Sequence, residues 1–233
     1  MKIFRSIRQK FIKKGNTSSY LKYAIGEIVL VVIGILIALQ INTWQQGAKE
    51  KTLETRYLKN LSLELQKDST ELAVNYTKLN EQAVSKNRLL DLLKLGKKHD
   101  SLKELFNLQW RPIYPYTPLK STYEEITNSS HLNIIRSDEL RSEIVKLYNG
   151  YEDLEKDEDF LLQYFSKLVE ALSENIPDIY SPTVEDILEV GKKPHIQNGI
   201  RLNGAYTRRN NYKEKLDQCT GLLKMIRDYQ NKK

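Results

Sequence analysis

Apolar residues follow a helical spacing through the first half of the chain. No Gly or Pro interrupts residues 48–95, where leucine recurs every seven positions with Lys86 as the one exception: Leu58, Leu65, Leu72, Leu79 and Leu93. A partner column at spacings of three and four is mostly small or polar: Leu61, Ser69, Tyr76, Ala83 and Leu90. The pattern predicts an amphipathic helix over 48–95, bracketed by Gly47 and Gly96. The polar partner column favours packing in a helical bundle over a long two-stranded coiled coil.

Two further stripes predict two more long helices. One alternates spacings of four and three: Leu140, Ile144, Leu147, Tyr151, Leu154, Glu158, Leu161, Phe165, Leu168 and Leu172. Ser137 is its expected N-cap, and Pro177 its expected end. The other is Leu202, Ala205, Arg209, Tyr212, Leu216, Cys219, Leu223 and Ile226, with Cys219 expected in the core. Two proline-containing crossings lie between the long helices, shorter helices fit 101–108, 120–128 and 183–190, and no strand pattern competes. We therefore predict an all-α fold with an elongated antiparallel helical bundle.

An apolar segment precedes these stripes. Residues 28–39 contain no polar side chain, and the flanking positions extend the apolar span to about 20 residues, the length that crosses a bilayer. Tyr20 and Tyr23 flank one end and Trp44 the other, as in an aromatic belt. A cleaved signal peptide and a buried core helix are the alternatives. No small-x-small cleavage site follows the segment, which favours an uncleaved transmembrane helix over 23–44.

The positive charge of the chain is confined to its first 22 residues. The net charge is +7, and residues 1–22 hold seven Lys and Arg and no acid, so the remaining 30 basic and 30 acidic residues balance. A basic tail beside an apolar segment indicates a membrane surface and not nucleic acid. Because basic residues stay cytoplasmic, we expect a cytoplasmic tail (1–22) and an extracytoplasmic domain (45–233) of a bacterial inner-membrane protein, periplasmic and single-pass.

Glu27 lies about one turn inside the apolar segment, and two interpretations stay open for it. In the first, its carboxylate reaches the headgroups near Lys22. In the second, it contacts another membrane helix, because Gly26, Gly34 and Ala38 form a small-residue face that Glu27 borders. The expected partners are therefore the lipid bilayer and a membrane or periplasmic protein, or a second copy of the chain.

Two features outside the apolar segment are candidate contact sites. WRPIYPYTP (110–118) carries prolines at the period of polyproline II, so Pro112, Tyr114, Pro115, Tyr116 and Pro118 form either a docking strip or a stiff crossing that seals the bundle. Glu158 is an acid within an apolar stripe. Its expected partner is Lys86 or Arg209, each the charged exception in its own stripe.

Catalytic and metal-binding signatures are missing from the sequence. It has no phosphate-binding glycine loop, no GxSxG and no HExxH, and its single cysteine and three scattered histidines make no zinc pattern. We expect neither an enzyme nor a cofactor. The predicted role is that of a membrane-anchored interaction or assembly module, and the alternative is a ligand-sensing module that signals through a membrane partner.

Three stretches resemble an uncharacterised family of small single-pass membrane proteins common in the Bacteroidota. They are YAIGEIVLVVIGILIALQINTW (23–44), YLKNL (57–61) and TYEEITNSSHLNIIRSDELRSEIVKLY (122–148). The resemblance covers most of the chain and weakens after about residue 180. Where that family has a glycine after the paired serines, this chain has His131. The resemblance implies the membrane topology and no biochemical activity.

Overall fold

The protein is helical throughout the part that its structure describes. The computed structural model describes residues 17–232, and that range contains no strand. Its α-helices are α1 (Thr17–Leu95), α2 (Leu102–Trp110), α3 (Ser121–Asn128), α4 (Asp138–Ser173), α5 (Val184–Val190), α6 (Pro194–Arg201) and α7 (Ala205–Asn231). A short 3₁₀ helix spans Leu132–Ile134. The predicted all-α class is confirmed, whereas the basic residues 2–14 of the predicted tail lie outside the described residues.

The first helix is longer than the sequence pattern predicted. Gly47 was expected to separate the apolar segment from the amphipathic helix, but α1 runs through it for 79 residues. A single internal glycine costs only about 1 kcal/mol relative to alanine, and the surrounding helix formers outweigh that cost. Gly96 does end the helix: its φ is +64°, and its N–H donates to the Leu92 carbonyl at 3.1 Å. A residue that ends a helix in this left-handed conformation is usually glycine, because glycine has no Cβ to clash.

The chain divides into two compact units at the boundary between Glu54 and Thr55. In the first unit, an 18-residue window of α1 has a mean hydropathy of 2.6 and none of it is buried. This helix is thus long and apolar enough to span a membrane. A helix in the core of a soluble protein would be buried, so the interpretation of this segment as a core helix is wrong. Its interpretation as a cleaved signal peptide stays a prediction. The predicted boundaries after residues 22 and 44 stay predictions.

The second unit, which we call the outer unit, buries the predicted stripes. The leucines at 58, 65, 72, 79 and 93 are all at most 4% exposed. In α4, seven stripe residues from Leu140 to Leu172 and the acid Glu158 are buried, and Ser137 caps the helix by accepting a hydrogen bond from Leu140 N at 3.2 Å. Helix α4 packs against α6 and α7, and α2 packs against α4 and α5. The first two stripes were therefore predicted in the correct register.

The third stripe was predicted correctly at Ala205, Tyr212, Cys219 and Ile226 and was displaced by one residue at two other positions. Helix α7 buries Arg208 and Leu222 where the pattern indicated Arg209 and Leu223, and Leu202 lies exposed before the helix begins. Cys219 is buried as predicted. The three predicted short helices correspond to α2, α3 and α5, while α6 was missed.

One end of the outer unit is closed by an apolar cluster from several helices. Side chains from α1, α2, α4, α5 and α6 contribute: Leu89, Leu90, Leu93, Leu102, Leu105, Phe106, Trp110, Leu168, Leu172, Ile176, Ile187, Val190, Ile196 and Ile200. The short helices thus act as a cap over the long ones.

The turn before α4 forms without the glycine of the resembling family. Ser130 adopts a φ of 56°, so the residue before His131 provides the left-handed conformation. His131 itself lies 2.8 Å through Nδ1 from the Tyr57 hydroxyl, which ties the turn to α1. The chain therefore turns here with His131 in place of that glycine.

Candidate functional site

The candidate face for a membrane-helix contact lies in the first unit. Gly26, Gly34 and Ala38 are exposed along α1 and Glu27 is partly exposed. A Cβ built at Gly26 or at Gly34 would meet no atom within 4 Å. The backbone is therefore accessible to close approach, and the contact itself stays a prediction.

The proline crossing between α2 and α3 is divided between solvent and core. Tyr114 is 78% exposed beside the exposed Pro112 and Pro115, whereas Tyr116 is 4% exposed and Pro118 is also buried. The crossing is held from both sides: Tyr116 N donates to the Tyr212 hydroxyl at 2.9 Å, and Leu119 N donates to Asp68 Oδ1 at 3.2 Å. Any docking strip here is thus limited to its first three members, and the remainder belongs to the core.

A buried ion pair lies beneath this crossing. Arg208 Nε donates to Glu158 Oε1 at 2.8 Å, and its terminal nitrogen donates to Oε2 at 2.6 Å. The same nitrogen donates to the Ile113 carbonyl at 2.8 Å. The prediction that Lys86 or Arg209 would pair with Glu158 is therefore wrong. The register error in α7 placed the neighbouring arginine in the stripe.

Lys86 occupies a polar network of its own. Its Nζ donates to the Arg201 carbonyl at 3.2 Å and to Asn203 Oδ1 at 3.3 Å, and lies 4.5 Å from the Tyr206 ring centroid. Asn203 is oriented in turn by Ala205 N, which donates to Oδ1, and by Gln109, which accepts from Nδ2. Burial lowers the pKa of the Lys86 ammonium to about 8. The amine thus stays mostly charged at neutral pH with only neutral oxygens and a ring around it.

An open pocket adjoins this lysine. Its volume is about 280 Å³, and its lining comes from α1, α4, the end of α6, the α6–α7 turn and α7: Lys86, Phe160, Leu161, Tyr164, Arg201, Leu202, Gly204, Tyr206 and Thr207. Gly204 has a φ of +78°, and a Cβ there would lie 3.3 Å from the Leu161 side chain. Glycine is therefore needed for the turn that brings Asn203 to Lys86.

A second buried cluster surrounds Asp68. Its Oδ2 and the hydroxyls of Tyr116 and Tyr151 have no hydrogen-bond partner in the described part of the chain. Burial raises the pKa of the Asp68 carboxyl to about 6 and that of the nearby Cys219 thiol to about 12. A thiol with such a pKa is unreactive at neutral pH, so Cys219 acts as a core residue.

Replacing Asp68 by asparagine should stabilise the protein in a pH-dependent way. A carboxyl whose pKa is higher in the folded than in the unfolded state destabilises the fold as pH rises from about 4 through 6, and the full penalty is present above pH 6. We expect Asp68→Asn to raise the free energy of unfolding by about 1–3 kcal/mol at pH 7.5 and by much less at pH 4.5.

Chemical unfolding of the full-length protein at the two pH values measures this effect. The control is Asp153→Asn, because the Asp153 side chain is exposed on α4. An equal change for both variants, or a gain for Asp68→Asn that is independent of pH, would contradict the assignment.

Sequence reasoning missed the pocket and identified only Glu158 of the ion pair. The pocket combines residues from five segments, and only the charged exception Lys86 marked it in the sequence. No group of three or more potential metal ligands occurs among the described residues.

Comparison with known proteins gives one match. The family model described as "Family of unknown function (DUF6090)" matches residues 27–171, from the apolar segment to the end of α4. Searches of the curated proteins and of the solved structures found no match. Because the match spans more than half of the sequence, the chain belongs to the DUF6090 family of unknown function.

Proposed function

We propose that the protein is a membrane-anchored interaction or assembly module. The observation that carries this proposal is the exposure of the apolar part of α1, since every apolar side chain from Ile28 to Leu39 points away from protein contacts. An apolar helix that is exposed in this way requires lipid around it. The outer unit, by contrast, buries its own apolar stripes and needs no such cover.

We infer a single-pass topology with the N-terminus in the cytoplasm. The support is the basic composition of residues 1–22, which the positive-inside rule assigns to the cytoplasmic side. Residues 23–44 then form the membrane span. Residues 45–233 form the domain on the other side of the inner membrane, in the periplasm.

We also infer that α7 runs antiparallel to both of the other long helices of the outer unit. Between α4 and α7, Glu158 contacts Arg208, Asp157 contacts Asn211, and Gly150 lies beside Lys215, so the α4 numbers fall as those of α7 rise. Between α1 and α7, Asn87 contacts Tyr206 and Leu65 contacts Cys219, so the α1 numbers also fall as those of α7 rise. These contacts support α7 running opposite to both α1 and α4, which then share one direction.

The partner that fits the membrane segment is another transmembrane helix. The small residues Gly26, Gly34 and Ala38 permit close backbone approach, and Glu27 would add a polar contact in lipid. The exposed Pro112, Tyr114 and Pro115 offer a second contact outside the membrane.

Site-specific photo-crosslinking in cells tests the membrane contact. A crosslinker at Leu30, on the small-residue face, should give a protein adduct, whereas one at Val32, on the opposite side of the same exposed helix, should give much less. Gly34→Ile should remove the Leu30 adduct by blocking close approach. Equal adducts at Leu30 and Val32, or none at either, would overturn the proposed helix contact.

A parallel measurement assigns the role of Glu27. If Glu27 contacts the partner helix, Glu27→Gln should reduce the Leu30 adduct. An unchanged adduct would assign Glu27 to the headgroup region and leave the helix contact in place.

Ligand sensing is a second candidate function, and the pocket beside Lys86 favours it. In this candidate function, the outer unit binds a small molecule and signals through a membrane partner. Both candidate functions therefore depend on a partner helix, and they differ in whether the outer unit binds a small molecule.

A further inference from the structure

The surroundings of Lys86 leave its charge uncompensated. Both oxygens that accept hydrogen bonds from Nζ belong to neutral groups, and burial alone accounts for the lowered pKa of this ammonium. The buried cation Arg208 of the same unit differs, since it has a carboxylate at 2.6 Å. A buried cation without a counter-charge is costly to fold, so an anion that reached it would be bound favourably.

The pocket gives an anion access to Lys86. An ammonium has three N–H groups, and here two are engaged by the Arg201 carbonyl and Asn203 Oδ1. Arg201 adds a second positive charge to the lining, and no acidic residue is among the nine lining residues. The electrostatic character of the pocket is therefore cationic at one side.

Apart from Gly204 and Thr207, the remaining lining residues are aliphatic or aromatic. Phe160 and Tyr164 meet edge to face with ring centroids 5.3 Å apart, and both are partly exposed toward solvent. Leu161 and Leu202 complete the apolar lining. A volume of 280 Å³ is near the lower end of ligand pockets, which commonly hold about 300–1,000 Å³. The space thus fits a body of about one ring and not an extended chain.

We propose that this pocket binds a small monocarboxylate with a ring-sized apolar body, whose carboxylate accepts a hydrogen bond from Lys86 Nζ. One buried amine, in a lining made mostly of aliphatic and aromatic side chains, suits a ligand with one negative charge and an apolar body. The Asn203 contacts with Gln109 and Ala205 hold the amine in place before any ligand arrives, which reduces the entropic cost of binding.

Fluorine NMR of the full-length protein in lipid nanodiscs tests the proposal with 4-fluorobenzoate as the probe. We expect saturable broadening of the probe signal with a Kd of about 0.1–1 mM, the range for a ligand of this size. The neutral 4-fluorobenzamide should show no more broadening than with empty nanodiscs. That comparison separates recognition of the carboxylate from partition into lipid.

Two variants locate the site. Lys86→Met keeps the length of the side chain and removes its charge, and it should weaken binding at least tenfold. Phe160→Ala, at a position that is 56% exposed and tolerant of change, should weaken binding at least threefold. The matched control is Lys213→Met on the exposed side of α7, where Lys213 pairs with Asp217. This variant should bind as the wild type does.

Three results would overturn the proposal: no saturable binding of the benzoate, equal binding of the benzamide, or unchanged binding in both pocket variants. If Lys86→Met fails to fold, Phe160→Ala decides alone. The proposal does not depend on the membrane contact, because the photo-crosslinking result and the fluorine NMR result can fail separately.

Discussion

Replacing Glu158 by alanine should lower the free energy of unfolding by about 3–5 kcal/mol, because it leaves the Arg208 guanidinium buried without its carboxylate. Both side chains of the pair are less than 10% exposed, so water cannot replace the lost partner. Since whole domains are stable by only about 5–15 kcal/mol, the variant should unfold close to ambient conditions. Chemical denaturation of the full-length protein measures the change.

The control is Asp153→Ala, which removes an exposed carboxylate from the same helix. Its partner Lys156 is also exposed, so the expected loss is below about 1 kcal/mol. A loss for Glu158→Ala as small as that of the control would show that the pair is not buried in solution.

The same series of variants can test whether Arg208 or Arg209 pairs with Glu158. Arg208 also donates to the Ile113 carbonyl, so removing it should loosen the proline crossing as well as the ion pair. In a double-mutant cycle, Glu158 should couple strongly to Arg208 and negligibly to Arg209, whose guanidinium lies over the Tyr206 ring. The apolar double variant Glu158→Leu with Arg208→Met should be more stable than Glu158→Ala, since no unpaired charge remains.

The long helices could be predicted from periodicity because burial in the core determines which of their positions are apolar. Leu58 to Leu93 and Leu140 to Leu172 are apolar where the core requires it, so their register could be read directly. Helix α7 has fewer apolar residues and two adjacent arginines, and nothing in the pattern distinguishes Arg208 from Arg209. That choice depends on the position of Glu158 in three dimensions, so the ion pair could not be predicted.

Local sequence was misleading at two other places. Gly47 was interpreted as a helix end, yet helix formers on both sides continue α1 through it. No helix was predicted over 194–201, yet Pro194 occupies the first turn of α6, where its missing N–H has no cost. The pocket beside Lys86 depends on both α6 and the register of α7. Its geometry could therefore not be predicted from the periodicity of each segment taken separately.

Two arginines placed in the apolar part of α1 should remove the protein from the membrane. Ile33→Arg with Leu36→Arg costs about 5–7 kcal/mol of insertion free energy, at about 2.5–3.5 kcal/mol for each central charge. The wild type should remain in the membrane pellet after carbonate extraction at its full 27.3 kDa, whereas the variant should be lost from it. A wild-type chain shortened by the apolar segment would identify a cleaved signal peptide instead.

The same helix provides a matched control. Leu63→Arg with Val74→Arg changes two apolar residues of α1 in the outer unit, and all four positions are between 45% and 58% exposed. If water surrounded both parts of the helix, the two double variants would behave alike. Because we propose lipid around residues 33 and 36 and water around residues 63 and 74, only the first should leave the membrane. Equal retention of both variants would contradict a membrane span in α1.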